Sequence, residues 1–444
     1  MMSVPFIYNL LALLAGVAVI VLLTTRFKVH AVFALLLACL VVGVGVGMPF
    51  EEVIATGKAG FGNIIGSLGL IIIFGTALGV ILENTGATLV LANGILRITG
   101  RHRAAQAMNA TGYVVGLPIF CDSGYIVLSG LNRNLARQTA TPITLMAASL
   151  ASGLYAVHCL IPPHPGAAAA TGTLGADFGH VILYGLLVAI PTAWSGLLWA
   201  RFSARRLPAS TPAGVTSDIS VEPRRLPSLS LSVLPVAVPI LLIGLRSFTS
   251  PEATSLAARI VRAAGIPEAA LGIGILLALL GKSRWKRDDL NTLLRSAIEK
   301  AGDILLIIGG GGAFGALIAQ MDIAQYLTDN ETIGSMGIFF PFLAAAVLKT
   351  AQGSSSVATI TAATMMVPLL PSLGLDSNMG RVLAVLAIGA GSMMVSHAND
   401  SYFWVVSRFS GVGMGAMLRV YTAATFVMGL VAIAMVYLLT WFMF

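Results

Sequence analysis

The stretch "VSHANDSYFW" (Val395–Trp404) places ionisable and amide side chains at the end of a long apolar segment. His397, Asn399 and Asp400 lie close together there, and the residues before them, "RVLAVLAIGAGSMM", are almost entirely apolar. Polar groups in such surroundings are costly unless they have partners. Imidazole, amide and carboxylate groups can together bind hydroxyls, hold an ion or carry a proton. The pattern therefore predicts a polar site within an apolar core.

A second polar interruption occurs in the first half of the chain, at "HCLIPPHPG" (His158–Gly166). Prolines end a helix, and Gly166 allows close backbone approach. A broken helix leaves free N–H groups on one half and free C=O groups on the other, and these ends can hold an anion or a cation. We expect His158 and His164 to contribute to the same site as His397.

Two further apolar stretches break at small polar residues, which suit tips that bind a ligand and still pack closely. The tip residues are Asp122, Ser123 and Gly124 in the first stretch, and Gly353, Ser354, Ser355 and Thr359 in the second. Lys349 precedes the second tip. A lysine in such a segment needs an anionic partner, which is Asp122, Asp400 or a bound anion, unless its ammonium reaches the surface.

The composition identifies the surroundings of these residues as a lipid bilayer. The 444 residues are 57% hydrophobic and 10% charged, whereas soluble globular proteins carry about 25% charged residues. Continuous apolar runs of about 20 residues, enough to cross a bilayer, recur along the chain. They predict an all-α polytopic membrane protein and exclude a β-barrel, whose strands alternate.

The net charge of +8 does not indicate nucleic-acid binding here, because Lys and Arg accumulate in the cytoplasmic loops of membrane proteins. The three cysteines lie in apolar segments and form neither a disulfide framework nor a metal-binding spacing. We therefore expect no metal and no cofactor. The first apolar run lacks a basic leader and a cleavage site, so we interpret it as a helix.

The positions of Lys and Arg predict two inverted repeats of about five spans each, every repeat with one re-entrant hairpin and one broken helix. The first repeat covers 1–202, with an inner hairpin at 104–135 and a broken helix at 142–178. A cytoplasmic linker at 203–230 follows. The second repeat covers 231–444, with an outer hairpin at 334–371 and a broken helix at 380–415. His158 and His397 occupy matching places in this scheme. Inverted repeats with broken helices are typical of secondary transporters.

Within this scheme Lys349 would face a substrate carboxylate, and Asp122 or Asp400 would carry a proton, with His158 or His397 as alternative relays. We favour Asp122 because it lies at the tip of the inner hairpin, where access to the cytoplasm can open and close. Backbone N–H groups would keep Asp400 charged. Three alternatives remain: a sodium-coupled carrier, an anion channel and an intramembrane enzyme. Paired hairpins favour a carrier, and no metalloenzyme spacing supports the enzyme.

The chain resembles the gluconate permease family of gluconate:proton symporters. The resemblance covers nearly the whole chain and is carried by "PPHPG" (Pro162–Gly166), "SHANDSYFW" (Ser396–Trp404), "IIGGGGAF" (Ile307–Phe314) and "GSSSVATITAA" (Gly353–Ala363). It implies proton-coupled uptake of gluconate or a related hydroxy acid across the inner (plasma) membrane. It also implies the ion transporter superfamily fold, in which a hairpin-bearing domain moves against a dimeric scaffold. Family members often carry Glu, Arg and Pro where Asp122, Lys349 and Ala167 stand, so the exact substrate does not follow.

The distribution of basic residues generates a topology prediction. We expect residues 203–230 to face the cytoplasm and both termini to face outside, because nearly every Lys/Arg cluster falls on one side. Single cysteines at Ser217 and Ser3 should therefore react with an impermeant thiol reagent from opposite sides of the membrane. Labelling of both from the same side would contradict the inverted repeat as well.

Overall fold

A computed structural model of the protein describes residues 4–100, 103–206, 226–250, 252–282, 285–321 and 335–443. These residues form α-helices with short 3₁₀ and π segments, and no strand occurs among them. Most of the predicted 203–230 linker lies outside the described residues, as do Ser3 and the first residue of the predicted outer hairpin, 334. The all-α prediction is confirmed.

The helices of the first half are α1 (Val4–Thr25), α2 (Ala31–Gly45), α3 (Phe50–Thr85), α4 (Ala87–Thr99), α5 (Ala104–Gly116), α6 (Cys121–Gln138), α7 (Ile143–Leu160), α8 (Pro165–Thr173) and α9 (Phe178–Ala204). Those of the second half are α10 (Leu229–Ser247), α11 (Leu256–Ala264), α12 (Pro267–Leu279), α13 (Arg287–Ala319), α14 (Phe339–Gln352), α15 (Ser355–Met366), α16 (Asn378–Ser392), α17 (Ser401–Ser410), α18 (Met414–Met417) and α19 (Ala423–Met443). A π segment at Leu418–Thr422 joins the last two.

Six of the described segments are long and apolar enough to cross a membrane, and a seventh arises if α11 and α12 count as one span bent by 80°. Shorter apolar helices accompany them. The α7–α8 segment is the most enclosed of the six, with 89% of its apolar window buried. The chain is therefore a multi-pass helical protein whose core lies around α7 and α8.

Two helix starts have a clear local cause. Helix α3 begins at Phe50, so Glu51 and Glu52 lie in its first turn. Carboxylates there are favoured by the helix dipole. The segment before Lys282 is divided at Gly265 and Ile266, where Pro267 starts a new helix. Proline suits a first helical position and cannot continue a helix that precedes it.

The order of hairpin, broken helix and long helix occurs twice. Helices α5 and α6 form the first hairpin, and α7 and α8 form the helix broken at Ile161–His164. Helices α14 and α15 form the second hairpin, and α16 and α17 the helix broken at Met393–Asp400. The second arm of each hairpin packs against the second half of the opposite broken helix, α6 against α17 and α15 against α8. Both tips and both breaks therefore meet in one region.

The glycine run "GGGG" (Gly309–Gly312) lies inside α13, where it allows other helices to approach closely. A Cβ on Gly309 would meet the Phe61 ring, and one on Gly312 would meet the Gly60 carbonyl oxygen and Ile64 of α3. A Cβ on Gly311 would meet Ile360 of α15. The sequence "IIGGGGAFG" is thus a packing surface, and α3 and α13 form the most extensively packed helix pair.

This packing yields a stability prediction. A Cβ on Gly60 would clash with the Gly312 carbonyl oxygen and with Ala316 Cβ. We expect Gly60→Val to cost about 1–3 kcal/mol, as overpacking typically does, and to lower the melting temperature in detergent. The matched control is Gly62→Val on the same helix, because a Cβ on Gly62 meets nothing within 4 Å. Equal melting temperatures of the two variants would contradict the close approach of α3 and α13.

Candidate functional site: a cavity at four helix N-termini

A cavity of about 380 Å³ lies where the two tips and the two breaks meet. Its wall comes from the first turns of α6, α8, α15 and α17, from the end of α7 and from one face of α13. The lining residues are Phe120, Cys121, Asp122, Ser123, Tyr155, His158, Pro165, Lys300, Asp303, Ile304, Ile307, Ser354, Ser355, Ser356, Val357, Ile360, Asp400, Ser401 and Tyr402. Six of the thirteen predicted site residues are among them: Asp122, Ser123, His158, Ser354, Ser355 and Asp400.

The four N-termini give the cavity a positive electrostatic character. Each helix start carries about half an elementary charge from its unpaired N–H groups. At α15 and α17, side chains occupy one N–H each: Val357 N donates to Ser354 Oγ at 3.3 Å, and Tyr402 N to Asp400 Oδ1 at 2.9 Å. No side chain caps the starts of α6 and α8. Their N–H groups suit a bound anion or hydroxyl.

Lys349 lies behind the cavity wall and forms a buried ion pair with Asp400. The Lys349 side chain is 0% exposed, and its Nζ donates to Asp400 Oδ2 at 3.0 Å. Ser396 Oγ donates to the same oxygen. Of the partners that the sequence allowed for Lys349, the structure selects Asp400. The alternative in which the Lys349 ammonium reaches the membrane surface is wrong, because its side chain has no exposed area. Lys349 is also not among the residues that line the cavity, where it was expected to face a substrate carboxylate.

Three side chains bond to carbonyl oxygens at the C-terminal end of the first helix of each hairpin. They are those of His164, His397 and Asn399. The His164 Nε2 atom is 2.7 Å from the Gly116 carbonyl oxygen at the end of α5. The His397 Nε2 and Asn399 Nδ2 atoms are 3.2 Å and 2.9 Å from the Thr350 carbonyl oxygen near the end of α14. His164 and His397 therefore have the same role, since each bonds to a carbonyl oxygen at the end of the first helix of a hairpin. These three side chains satisfy backbone acceptors and do not line the cavity.

Three predicted tip residues have packing roles instead of lining the cavity. A Cβ on Gly124 would clash with the Leu154 side chain. Gly353 adopts φ +83° and lies against the Asn399 backbone, so glycine is required there on both counts. Thr359 is buried against Gly166, where a Cβ would lie 3.3 Å from the threonine Cβ.

Asp122, His158 and Tyr155 are cavity residues whose buried ionisable groups include an atom without a hydrogen-bond partner among the described residues. Asp122 Oδ1 and His158 Nδ1 are both buried without a hydrogen bond there. The His158 ring stacks on Tyr155, with centroids 6.3 Å apart and an interplanar angle of 12°. Asp400, by contrast, has both oxygens occupied. A ligand or a proton can thus reach Asp122 without displacing an existing bond.

Sequence reasoning missed the aromatic wall and the contribution of α13. Tyr402 lies within the quoted "SHANDSYFW" stretch, and Tyr155 lies one turn before His158. The ring centroids of Tyr155 and Tyr402 are 5.4 Å apart. Lys300, Asp303, Ile304 and Ile307 share one face of α13. The signal for these was the charged segment "EKAGD" (Glu299–Asp303) directly before an apolar helix.

The chain matches the GntP family permeases over residues 8–442. The chain belongs to this family. It is therefore a permease of the membrane and not an enzyme, which excludes the intramembrane-enzyme alternative and confirms the resemblance seen in the motifs.

Three similar proteins span almost the same length. The gluconate permease of Pseudomonas aeruginosa is 34% identical over 98% of this chain and 98% of its own. The high-affinity gluconate transporter of Escherichia coli K12 is 32% identical over 91% and 93%. The D-serine transporter DsdX of the same strain is 31% identical over 96% and 97%.

Two solved transporters share the fold of this GntP permease. The YdaH transporter of Alcanivorax borkumensis has a TM-score of 0.65 at 15% identity, over 88% of this chain and 89% of that one. MtrF of Neisseria gonorrhoeae has a TM-score of 0.61 at 15% identity, over 87% and 83%. At this identity the likeness concerns the fold alone.

The buried ion pair generates the next prediction. Lys349→Met leaves Asp400 charged and unpaired in an apolar core, which typically costs about 3–5 kcal/mol. We expect a strong loss of folded protein in detergent, measured by size-exclusion chromatography and thermal unfolding. Lys349→Met combined with Asp400→Asn should recover much of that loss, because no charge is left without a partner. Similar yields for the single and double variants would exclude a structural ion pair.

Proposed function

We propose that this GntP permease imports gluconate or a related hydroxycarboxylate by proton symport, with alternating access of the elevator type. The observation that carries the proposal is the cavity formed by four helix N-termini, with hydroxyl side chains and an unpartnered carboxyl on its wall. The names of the gluconate transporters among its relatives support the cargo class.

The chemistry of the wall fits a polyhydroxylated anion. The uncapped N–H groups of α6 and α8 suit a carboxylate. Ser123, Ser354 and Ser355 present hydroxyls to the cavity. The rings of Tyr155 and Tyr402 cover the carbon skeleton. Because the positive character comes from backbone dipoles, the site accepts a carboxylate without a side-chain cation on the tips.

Asp122 is the residue that we propose to carry the proton. It lines the cavity, and its buried Oδ1 has no partner among the described residues. Asp400 is the weaker candidate, because Lys349, Ser396 and the Tyr402 N–H occupy its oxygens. A carrier whose acid binds a proton together with the anion moves a neutral load and does not leak the gradient when empty.

An apolar seam supports the elevator mechanism. A narrow cleft separates the first tip and break from α3, α10 and α12, and all of its described lining residues are apolar, including Pro118, Pro163, Pro239 and Leu271. Movement along such a surface breaks no hydrogen bonds. The mobile unit would comprise both hairpins and both broken helices, and the scaffold would include the tightly packed α3 and α13.

The domain and assembly proposals follow from the same scheme. We propose that residues 1–202 and 231–444 are inverted repeats, that 203–230 joins them in the cytoplasm, and that the scaffold forms a homodimer in the inner (plasma) membrane. Each half places the second helix of its hairpin against the broken helix of the other half, α6 against α17 and α15 against α8. This reciprocal packing supports a pseudo-twofold relation between the halves.

Purified protein in detergent should have the mass of a dimer in light scattering.

Uptake into proteoliposomes tests both cargo and coupling. The wild type is given gluconate, idonate and D-serine, with either a pH gradient or a sodium gradient. The proposal requires concentrative gluconate uptake driven by the pH gradient. Uptake driven by sodium alone would instead establish the sodium-coupled alternative. Uptake of D-serine without uptake of gluconate would show that the cargo is an amino acid and not a hydroxycarboxylate.

The role of Asp122 generates a separate prediction. We expect Asp122→Asn to abolish gradient-driven accumulation but to retain exchange between preloaded vesicles and medium, because an amide binds hydroxyls but cannot carry a proton. The matched control is Asp303→Asn, which removes a carboxylate from the α13 side of the same cavity. If Asp122→Asn still concentrates substrate against a pH gradient, Asp122 does not carry the proton.

A further inference from the structure

Helix α13 contributes a full positive charge to the cavity wall. Within the part of the chain that the structure describes, Lys300 is the one lysine or arginine that lines the cavity. Its side chain is 40% exposed, unlike the fully buried Lys349. Its nearest acidic partner is Glu83 at the end of α3, with Nζ and Oε2 3.9 Å apart. This is a loose ion pair that a better anionic partner can replace.

The other acidic residues of the cavity wall either have a partner already or, in the case of Asp122, are proposed to carry the proton. Asp303, one turn further along α13, has its Oδ1 2.6 Å from His30 Nε2. Val32 N donates to the other ring nitrogen, Nδ1, at 3.4 Å, so Nε2 carries the proton that Asp303 accepts. Asp400 is paired with Lys349. Lys300 therefore remains the charge in the cavity that is available to an incoming anion.

The position of Lys300 along α13 indicates which side of the membrane the cavity faces. His30 follows Arg26 and Lys28, and α13 begins at Arg287, directly after Lys286. Clusters of basic residues mark the cytoplasmic side. The bond between His30 and Asp303 thus places the Lys300 region of the cavity towards the cytoplasm.

We propose that Lys300 is a specificity-determining residue of the inward-facing state, which exchanges Glu83 for the carboxylate of the cargo. This rests on the proposed function. Lys300 belongs to α13, in the proposed scaffold, whereas the tips and breaks belong to the proposed mobile unit. The lysine therefore contacts the cargo only when the cavity lies beside the cytoplasmic half of α13, and it affects affinity on that side alone.

Transport kinetics measured from the two sides of the membrane test the proposal. We expect Lys300→Gln to raise the KM for gluconate about fivefold in inside-out vesicles, the size of roughly 1 kcal/mol from a partly exposed charge pair. The KM in right-side-out vesicles should stay unchanged. Glu83→Gln should lower the inside-out KM, because it frees Lys300. Lys300→Arg should stay near the wild type.

Arg295→Gln is the matched control, since it removes a positive charge from an exposed position of α13 outside the cavity. Equal KM values for the wild type and Lys300→Gln on the inside-out side would overturn the inference, as would equal effects on both sides. Gluconate uptake by the wild type alone tests the proposed function. A wild type that carries no carboxylate overturns both, whereas a wild type that carries gluconate with an inert Lys300 overturns only this inference.

Discussion

The ion pair between Lys349 and Asp400 fixes the geometry on which the site depends. Lys349 lies in the first arm of the second hairpin, and Asp400 caps the second half of the broken helix α16–α17. Neither side chain has appreciable contact with solvent, so breaking the pair exposes two uncompensated charges to an apolar core. The pair therefore joins tip and break into one rigid unit. A carrier that moves this unit past a scaffold needs such a connection.

A second constraint acts at every tip and break. Helices that end within a membrane leave carbonyl groups which water cannot reach, and each must find a donor. His164 serves the end of α5, and His397 with Asn399 serves the end of α14. Side chains thus take the acceptors at the C-terminal ends, while the N-terminal ends of α6 and α8 are left without side-chain caps. The donors that remain open face the cavity, so the way in which the ends are satisfied leaves the cavity suited to the proposed anion.

Much of the fold was predictable from the sequence, and much less of the site. Apolar runs and prolines indicated where helices are interrupted, and the interruptions at Ile161–His164 and Met393–Asp400 fall inside the ranges 142–178 and 380–415. The same motifs identified Asp122, His158, Ser354 and Asp400 on the cavity wall. They could not separate His158, which lines the cavity, from His164, which bonds to the end of α5, because a sequence does not show where each side chain points. Lys300 escaped because it lies in a charged segment at the start of an apolar helix, where a lysine is equally typical of a cytoplasmic helix end, and only the packing of α13 in the fold shows that it lines the cavity.

The charges around the cavity explain how a carrier can bind an anion and still release it. Asp400 is neutralised by Lys349, and Asp303 is bonded to His30, so Asp122 and Lys300 are the charged cavity side chains that a ligand can address. They belong to different helices of the wall, Asp122 to α6 in the proposed mobile unit and Lys300 to α13 in the proposed scaffold. Movement of one helix relative to the other would change the balance between them. An anion held by helix N-termini would then gain a cation at one end of the cycle and lose it at the other, while the backbone contacts travel with it unchanged.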